Sequence, residues 1–175
     1  MDGNRCGRTR RTPTLPVVAD VEIVRVGPDQ WREFREVRLA SLSDAPGAFG
    51  ARYADWVDAT EEQWRKRLTD VPCTFVARDD AGTVGVVSGA LSEEGVELIS
   101  MWVAPSHRGS GLTGQLVGRV VAWARERGHD THLMVRDDNA AAIRAYEKAG
   151  FVDLGVAEDR LEDAPLERRM RHAGG

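Results

Sequence analysis

The residues with the clearest chemical capability are Arg108-Gly109-Ser110-Gly111-Leu112-Thr113-Gly114. They follow an apolar stretch, Glu97 to Ala104, and precede an amphipathic one, Gln115 to Arg127. A strand feeding a glycine-rich loop that opens a helix aims unpaired backbone N–H groups at one point. The helix dipole adds partial positive charge there, so a phosphate or diphosphate is the ligand such a loop holds. Glycines let the backbone approach the anion closely, and Arg108 adds a cation. The loop predicts a nucleotide-like cofactor.

Two further readings compete for it. Gly109, Gly111 and Gly114 satisfy G-x-G-x-x-G, and Asp137 falls about where a dinucleotide fold keeps its ribose-binding acid. In that fold the glycines follow the strand almost directly, whereas here Ala104 to Arg108 intervene. Too little chain follows for repeated βαβ units, so the dinucleotide reading is set aside. An ordinary tight turn explains glycines but not the coincidence of cation, loop and helix.

The elements that must position the loop are legible from periodicity. Val21 to Val26 alternates like a strand, and Trp31, Phe34, Val37 and Arg38-Leu39 have helical spacing after Pro28-Asp29-Gln30. Asp44-Ala45-Pro46-Gly47 breaks that helix. Thr60 with Gln63 forms a capping box for a second helix to about Leu68. Cys73 to Arg78 and Thr83 to Leu91 flank a turn signal at Asp79 to Gly82, and Val96 to Val103 makes a third strand, an antiparallel meander. Beyond it, Leu112, Leu116, Val120 and Trp123 lie on one helical face that stops at Gly128. A strand from His132 to Arg136, a helix from Asn139 to Ala149 and a strand from Phe151 to Leu154 complete the pattern. Strand alternating with helix predicts right-handed crossovers and parallel pairing beside the meander. The expected fold class is α/β, a mixed α+β sheet with helices on both faces.

Composition narrows the function. At 175 residues the chain fits one domain, expected over residues 21–171, preceded by a flexible tail over 1–20 that carries Arg5, Arg8, Arg10 and Arg11. A net charge of −4 with both signs interspersed speaks against nucleic acid and anionic membranes as partners. No apolar run approaches the roughly 20 residues of a membrane span, and the tail lacks the apolar core of a signal peptide. Cys6 and Cys73, the only cysteines, suit a reducing, cytoplasmic setting and no thiol chemistry. No histidine pairs with a ligand at metal spacing. His132 is expected as an exposed residue at a strand end.

Val103-Ala104-Pro105-Ser106-His107-Arg108-Gly109-Ser110-Gly111 resembles the acyl-CoA-binding signature of the GCN5-related N-acetyltransferases, and Asn139 to Phe151 is similar to that family's second signature. The resemblance covers Val21 to Arg171 in element order and is residue-specific from Glu97 to Phe151. Thr113 departs from it, standing where glycine or alanine is usual. The resemblance implies an acyl-CoA N-acyltransferase fold and acetyl-CoA as cosubstrate, with no metal. It implies that the backbone at Met101, Trp102 and Val103 grips the pantetheine arm like an added strand, since that strand splays from its parallel neighbour. Arg108, Gly109, Ser110, Gly111, Leu112, Thr113 and Gly114 would cradle the pyrophosphate, and Asn139 would meet the cofactor arm. Asn139 is equally explained as a helix cap.

The implied chemistry needs two proton transfers and one polarised carbonyl. Freeing an amine of pKa near 10 at pH 7 costs about 4 kcal/mol unless a base assists. The resemblance points to Glu97 for that role, and a solvated glutamate at a strand end explains the residue equally. The alternative carboxylate site on the next strand is occupied here by Met134. Tyr146 matches the family's general acid, which protonates the departing thiolate. A backbone N–H at Met101 or Val103 would meet the developing oxyanion.

The resemblance implies a primary amine as acceptor, in a small molecule or a peptide. Phe49, Tyr53 and Trp56 recur at helical spacing where the resemblance puts the acceptor cleft. Asp55, Asp58, Glu61 and Glu62, with Glu158, Asp159, Glu162 and Asp163, suggest an acidic cleft for a cationic amine. The resemblance admits a homodimer. The other function class is a binding module that holds acyl-CoA with little or no catalysis.

Overall fold

In the computed structural model, residues 20–157 and 165–172 are described. The basic tail and the acidic residues Glu158, Asp159, Glu162 and Asp163 lie outside them. The β-branched pair Ile23 and Val24, flanked by Glu22 and Arg25, forms β1 (Glu22–Arg25), which pairs antiparallel with β2 (Cys73–Asp79). Asp79 Oδ1 accepts hydrogen bonds from the N–H groups of Ala81 at 2.8 Å and Gly82 at 3.0 Å, closing a hairpin onto β3 (Gly82–Ser92). β4 (Gly95–Val103) pairs antiparallel with β3, so the expected meander is present.

Helices cover both faces of the sheet. On one side α1 (Trp31–Asp44) and α3 (Glu61–Asp70) pack Phe34, Val37, Trp64 and Leu68 against Val76, Val86 and Trp102. The predicted capping box starts α3: Thr60 N–H donates to Gln63 Oε1 at 2.7 Å and Gln63 N–H to Thr60 Oγ1 at 3.3 Å. A single turn, α2 (Tyr53–Trp56), lies between them. On the other side α4 (Leu112–Arg125) and α5 (Ala140–Lys148) pack Leu112, Leu116, Val120 and Tyr146 against Val96, Leu98 and Leu133. α4 lies close to the sheet because β3 carries glycine beneath it. A Cβ at Gly89 would sit 2.8 Å from Val96 Cγ1 and 3.0 Å from Val120 Cγ1.

The far half of the sheet departs from the expectation. β5 (Thr131–Arg136) pairs parallel with β4, but β6 (Phe151–Val156) does not touch β5. A further strand, β7 (Glu167–His172), lies between them and pairs antiparallel with both. The strand order is β1-β2-β3-β4-β5-β7-β6. The predicted parallel pairing therefore holds for β4 and β5 alone. β7 escapes a periodicity search because its sequence is Glu-Arg-Arg-Met-Arg-His, with one apolar residue, the fully buried Met170. Its Arg168 lies 3.0 Å from Asp153 of β6, so the charges are met by the neighbouring strand.

Candidate active site

The site begins where β4 and β5 part. Their parallel pairing covers only Val96 with Thr131 and Glu97 with His132. Beyond that the strands diverge and one edge of β4 has no partner strand. A bulge sits at the same place, since Ser88 of β3 faces Ile99 while Val86 faces Trp102, so Ser100 and Met101 together oppose Val87. Ser100 is buried at φ 58°, the left-handed region that L-residues seldom adopt. After the bulge, Ala104 N–H donates to Val84 O at 2.8 Å. Ladder alternation then pairs Trp102 with β3 and turns the backbone of Val103 to the open side. Trp102 directs its Nε1–H to Asp44 at 2.9 Å, so neither its backbone nor its indole N–H faces the gap.

The open edge runs into the glycine loop. Gly111 caps α4 at φ +87° and Gly109 lies at φ +77°, backbone that a side chain would strain. A Cβ built at Gly109, Gly111 or Gly114 meets nothing within 4 Å, so the space in front of the loop is free. Among the described residues the N–H groups of Gly109, Gly111, Thr113 and Gly114 donate to nothing, and that of Leu112 has only Ser110 Oγ at 3.4 Å. Leu112 buries its side chain in the core, leaving the backbone for a ligand. Ser110 Oγ donates to His107 O at 2.7 Å, and His107 Nε2 lies 3.1 Å from Asp79, tying the loop to the β2–β3 turn. Arg108 is held by its neighbours, with Nε 3.2 Å from Val103 O and Nη2 on the Asp44 carboxylate. An open cradle of free N–H donors at a helix N-terminus fits a diphosphate.

At the other end of the gap is a cavity of about 450 Å³. Glu97, Ser100 and Met101 line it from β4, Met134 and Arg136 from β5, and Asn139, Ala142 and Tyr146 from the following segment. Asn139 caps α5, its Oδ1 accepting from Ala142 N–H at 3.1 Å, which leaves its amide NH₂ without a partner among the described residues. Tyr146 is 9% exposed, its ring 5.9 Å from that of Phe151. Burial alone pushes its phenol up to about 12, because nothing hydrogen-bonds the charged form. Glu97 is half-buried, with His132 beside it in register. That histidine is itself half-buried with Nδ1 shielded from water and unpaired, against the expectation of an exposed strand end.

The acceptor wall differs from the acidic cleft suggested above. Phe49 and Trp56 line the cavity, Trp56 with its ring 4.7 Å from Trp64, whereas Tyr53 is 41% exposed and outside the lining. Asp55 pairs with Arg52 at 2.9 Å and Glu61 with Arg65 at 2.8 Å, on the outer surface. Among the described residues the charged ones that line the cavity are Arg38, Arg67 and Arg136, with Glu97 and Glu167. Arg38 sits on the apolar side of α1, among Val37, Leu39 and Leu42, where a buried cation in an apolar stripe is the signal that sequence reading passed over. Ser100 had no such signal. Among the described residues no group of His, Cys, Asp and Glu is placed to hold a metal ion, and no helix is long and apolar enough to cross a membrane.

The molecule is similar to known acetyltransferases in sequence and fold. The model of the Acetyltransferase (GNAT) family matches residues 29–151. An acetyltransferase of Pectobacterium atrosepticum is 34% identical over 113 residues, 60% of this chain and 80% of its own. The mycothiol acetyltransferase of Mycolicibacterium vanbaalenii is 31% identical over 151 residues, 79% of this chain but 48% of that longer protein. Among solved structures, a GNAT-family acetyltransferase of Streptococcus pneumoniae superposes with TM-score 0.70 at 19% identity, covering 87% of this chain and 97% of its own. The PaiA N-acetyltransferase of Thermoplasma acidophilum, solved with coenzyme A, gives TM-score 0.66 at 15% identity over 87% and 99% of the two chains. With two thirds of its length matched by the family model, the chain belongs to the GNAT family of acetyl-CoA-dependent acetyltransferases.

Proposed function

We infer that acetyl transfer here is direct, from acetyl-CoA to a primary amine held in the cavity, with no acetylated residue on the enzyme. The observation that carries this reading is that Glu97 and Tyr146 line one cavity across the gap between β4 and β5. Glu97 takes the ammonium proton, directly or through water, so that the amine nitrogen can attack the thioester carbon. The C–N bond forms to give a tetrahedral intermediate, whose nitrogen releases its second proton to water, the source from which Tyr146 is later reprotonated, and the C–S bond breaks as the intermediate collapses. Met101 or Val103 offers a backbone N–H on the open edge to the carbonyl oxygen as negative charge develops there. Tyr146 gives its proton to the departing sulfur. A phenol held up to about 12 stays protonated through the physiological range, so it is ready as a donor.

Binding follows the same geometry. The free N–H groups of Gly109 to Gly114 hold the diphosphate, Val103 and the adjacent β4 backbone pair with the pantetheine amides, and Asn139 NH₂ meets the arm where it enters the cavity. Arg108 serves by anchoring the loop to Asp44 and Val103.

Calorimetry with coenzyme A and thiol release against an amine panel test this reading. Micromolar uptake and amine-dependent thiol release support it. Tight uptake without release, unaltered by Tyr146→Phe, would instead make the chain a binding module.

A further inference from the structure

We propose that Arg38 and Arg67 form an anion-binding subsite at the acceptor end of the cavity, and that the acceptor is a small amine bearing a carboxylate, of amino-acid type. The proposal rests on the acetyl-transfer reading above and names its substrate class.

Both side chains line the cavity that holds Glu97 and Tyr146, Arg38 from α1 and Arg67 from α3. Arg38 is 8% exposed, and its one polar side-chain partner is Ser41 Oγ at 3.4 Å, a weak contact. Its guanidinium rests on the Phe49 ring, 4.6 Å from the centroid. Arg67 Nη1 is shielded from water and has no hydrogen-bond partner among the described residues. Arg52, Arg65, Arg78, Arg108 and Arg168 each have a carboxylate partner. Arg38 and Arg67 have none within ion-pair distance among the described residues.

The surrounding charges do not supply the missing counterion. Glu97 and Glu167 line the cavity without reaching either guanidinium. Asp70 attracts Arg67 along α3, but its carboxylate is bonded to Lys66 at 2.6 Å. Arg136, the third arginine of the lining, is paired with Asp138 at 3.0 and 2.7 Å, so that carboxylate is occupied. Burial and the repulsion of Arg67 pull Arg38 down to about 10, and burial lowers Arg67, so both are still cations at neutral pH and poorly compensated.

Leaving two like charges half-desolvated and unpaired is costly, and an anion between them removes that cost. Guanidinium forks match the plane of a carboxylate. Phe34, Phe49, Trp56 and Trp64 form apolar walls for the rest of the molecule, and the volume, shared with the acetyl end of the cofactor, suits a small one. Glu97 on the same cavity faces the amine, so the acceptor bridges opposite charges at its two ends. A polyamine would meet two cations here.

The test measures thiol release with free L-amino acids, each paired with its primary amide and its decarboxylated amine, with aminophosphonates as a further arm. The expected result is about a hundredfold higher kcat/KM for one or more acids than for the amide partner, as loss of a charge-assisted pair implies. Arg67→Gln is expected to shrink that gap to a few-fold by raising KM for the acid alone, with no fall in Tm. Amides, decarboxylated amines or polyamines used as well as acids would overturn the proposal, as would a preference for phosphonates. So would an Arg67→Gln variant that keeps full discrimination. Should coenzyme A bind but no amine release thiol, uptake of N-acetyl amino acids against their amides by the coenzyme complex decides the subsite by itself. No uptake of coenzyme A takes down the acetyl-transfer reading and this one together.

Discussion

Asp44, the last residue of α1, shares its carboxylate between Arg108, 64 positions later at the head of the glycine loop, and the indole N–H of Trp102 on β4. Those hydrogen bonds, that from Trp102 foremost, hold its carboxyl below the usual carboxylate range. One side chain thus ties α1, β4 and the glycine loop together. Asp44→Asn retains an acceptor for Trp102 but loses the charge, and is expected to weaken coenzyme A binding about threefold. Asp44→Ala orphans the buried Trp102 N–H, costing about 1–3 kcal/mol of stability and weakening coenzyme A further. Calorimetric titration beside urea denaturation separates the two effects.

Tyr146→Phe removes a hydroxyl that has no hydrogen-bond partner among the described residues while keeping the ring against Phe151. Stability is expected to change by less than about 0.5 kcal/mol. The proton donor is lost, so kcat is expected to fall by about a hundredfold or more, with coenzyme A affinity unchanged. Steady-state kinetics and calorimetry on the same preparation check both halves. A large loss of stability would mark the tyrosine as packing.

Thr60→Ala breaks the capping box at the start of α3, the helix that carries Trp64 and Arg67. The expected cost is about 1 kcal/mol, a drop in Tm of roughly 2–5 °C. KM for the acceptor is expected to shift less than about twofold at 25 °C, since the folded geometry is kept. Thermal melts and acceptor titrations measure it.

Cys73 is fully buried, and desolvation pushes its thiol from 9.0 up to about 11. A folded pKa above the unfolded one means stability is fully present below pH 9 and falls between pH 9 and 11, where only the unfolded chain has lost the proton. The loss attributable to this group is about 2 kcal/mol. Urea denaturation of wild type and Cys73→Ala at pH 8 and 11 is expected to show the gap between them narrowing by that amount. A pH-independent gap would mean that the thiol does not titrate differently in the two states.

The parts of the site legible in the sequence are those made by neighbours along the chain. The turn at Asp79 to Gly82, the Thr60–Gln63 box, the Asn139 cap and the glycine loop each need only a few consecutive residues in the right order. Backbone donors at a helix start follow from that local order, so the cofactor end was readable before any strand was paired. Long-range packing decided the rest. β7 lies between β5 and β6 because Met170 fills the core and Arg168 meets Asp153, neither of which period-two patterning records. The bulge at Ser100 exists only as a mismatch of register between two strands. Arg38 and Arg67 stand 29 positions apart and read as ordinary helix charges until α1 and α3 bring them to one cavity. Spacing along a chain records hydrogen bonds between near neighbours, whereas burial and the absence of a counterion are properties of the folded surroundings, and the acceptor end is built from those.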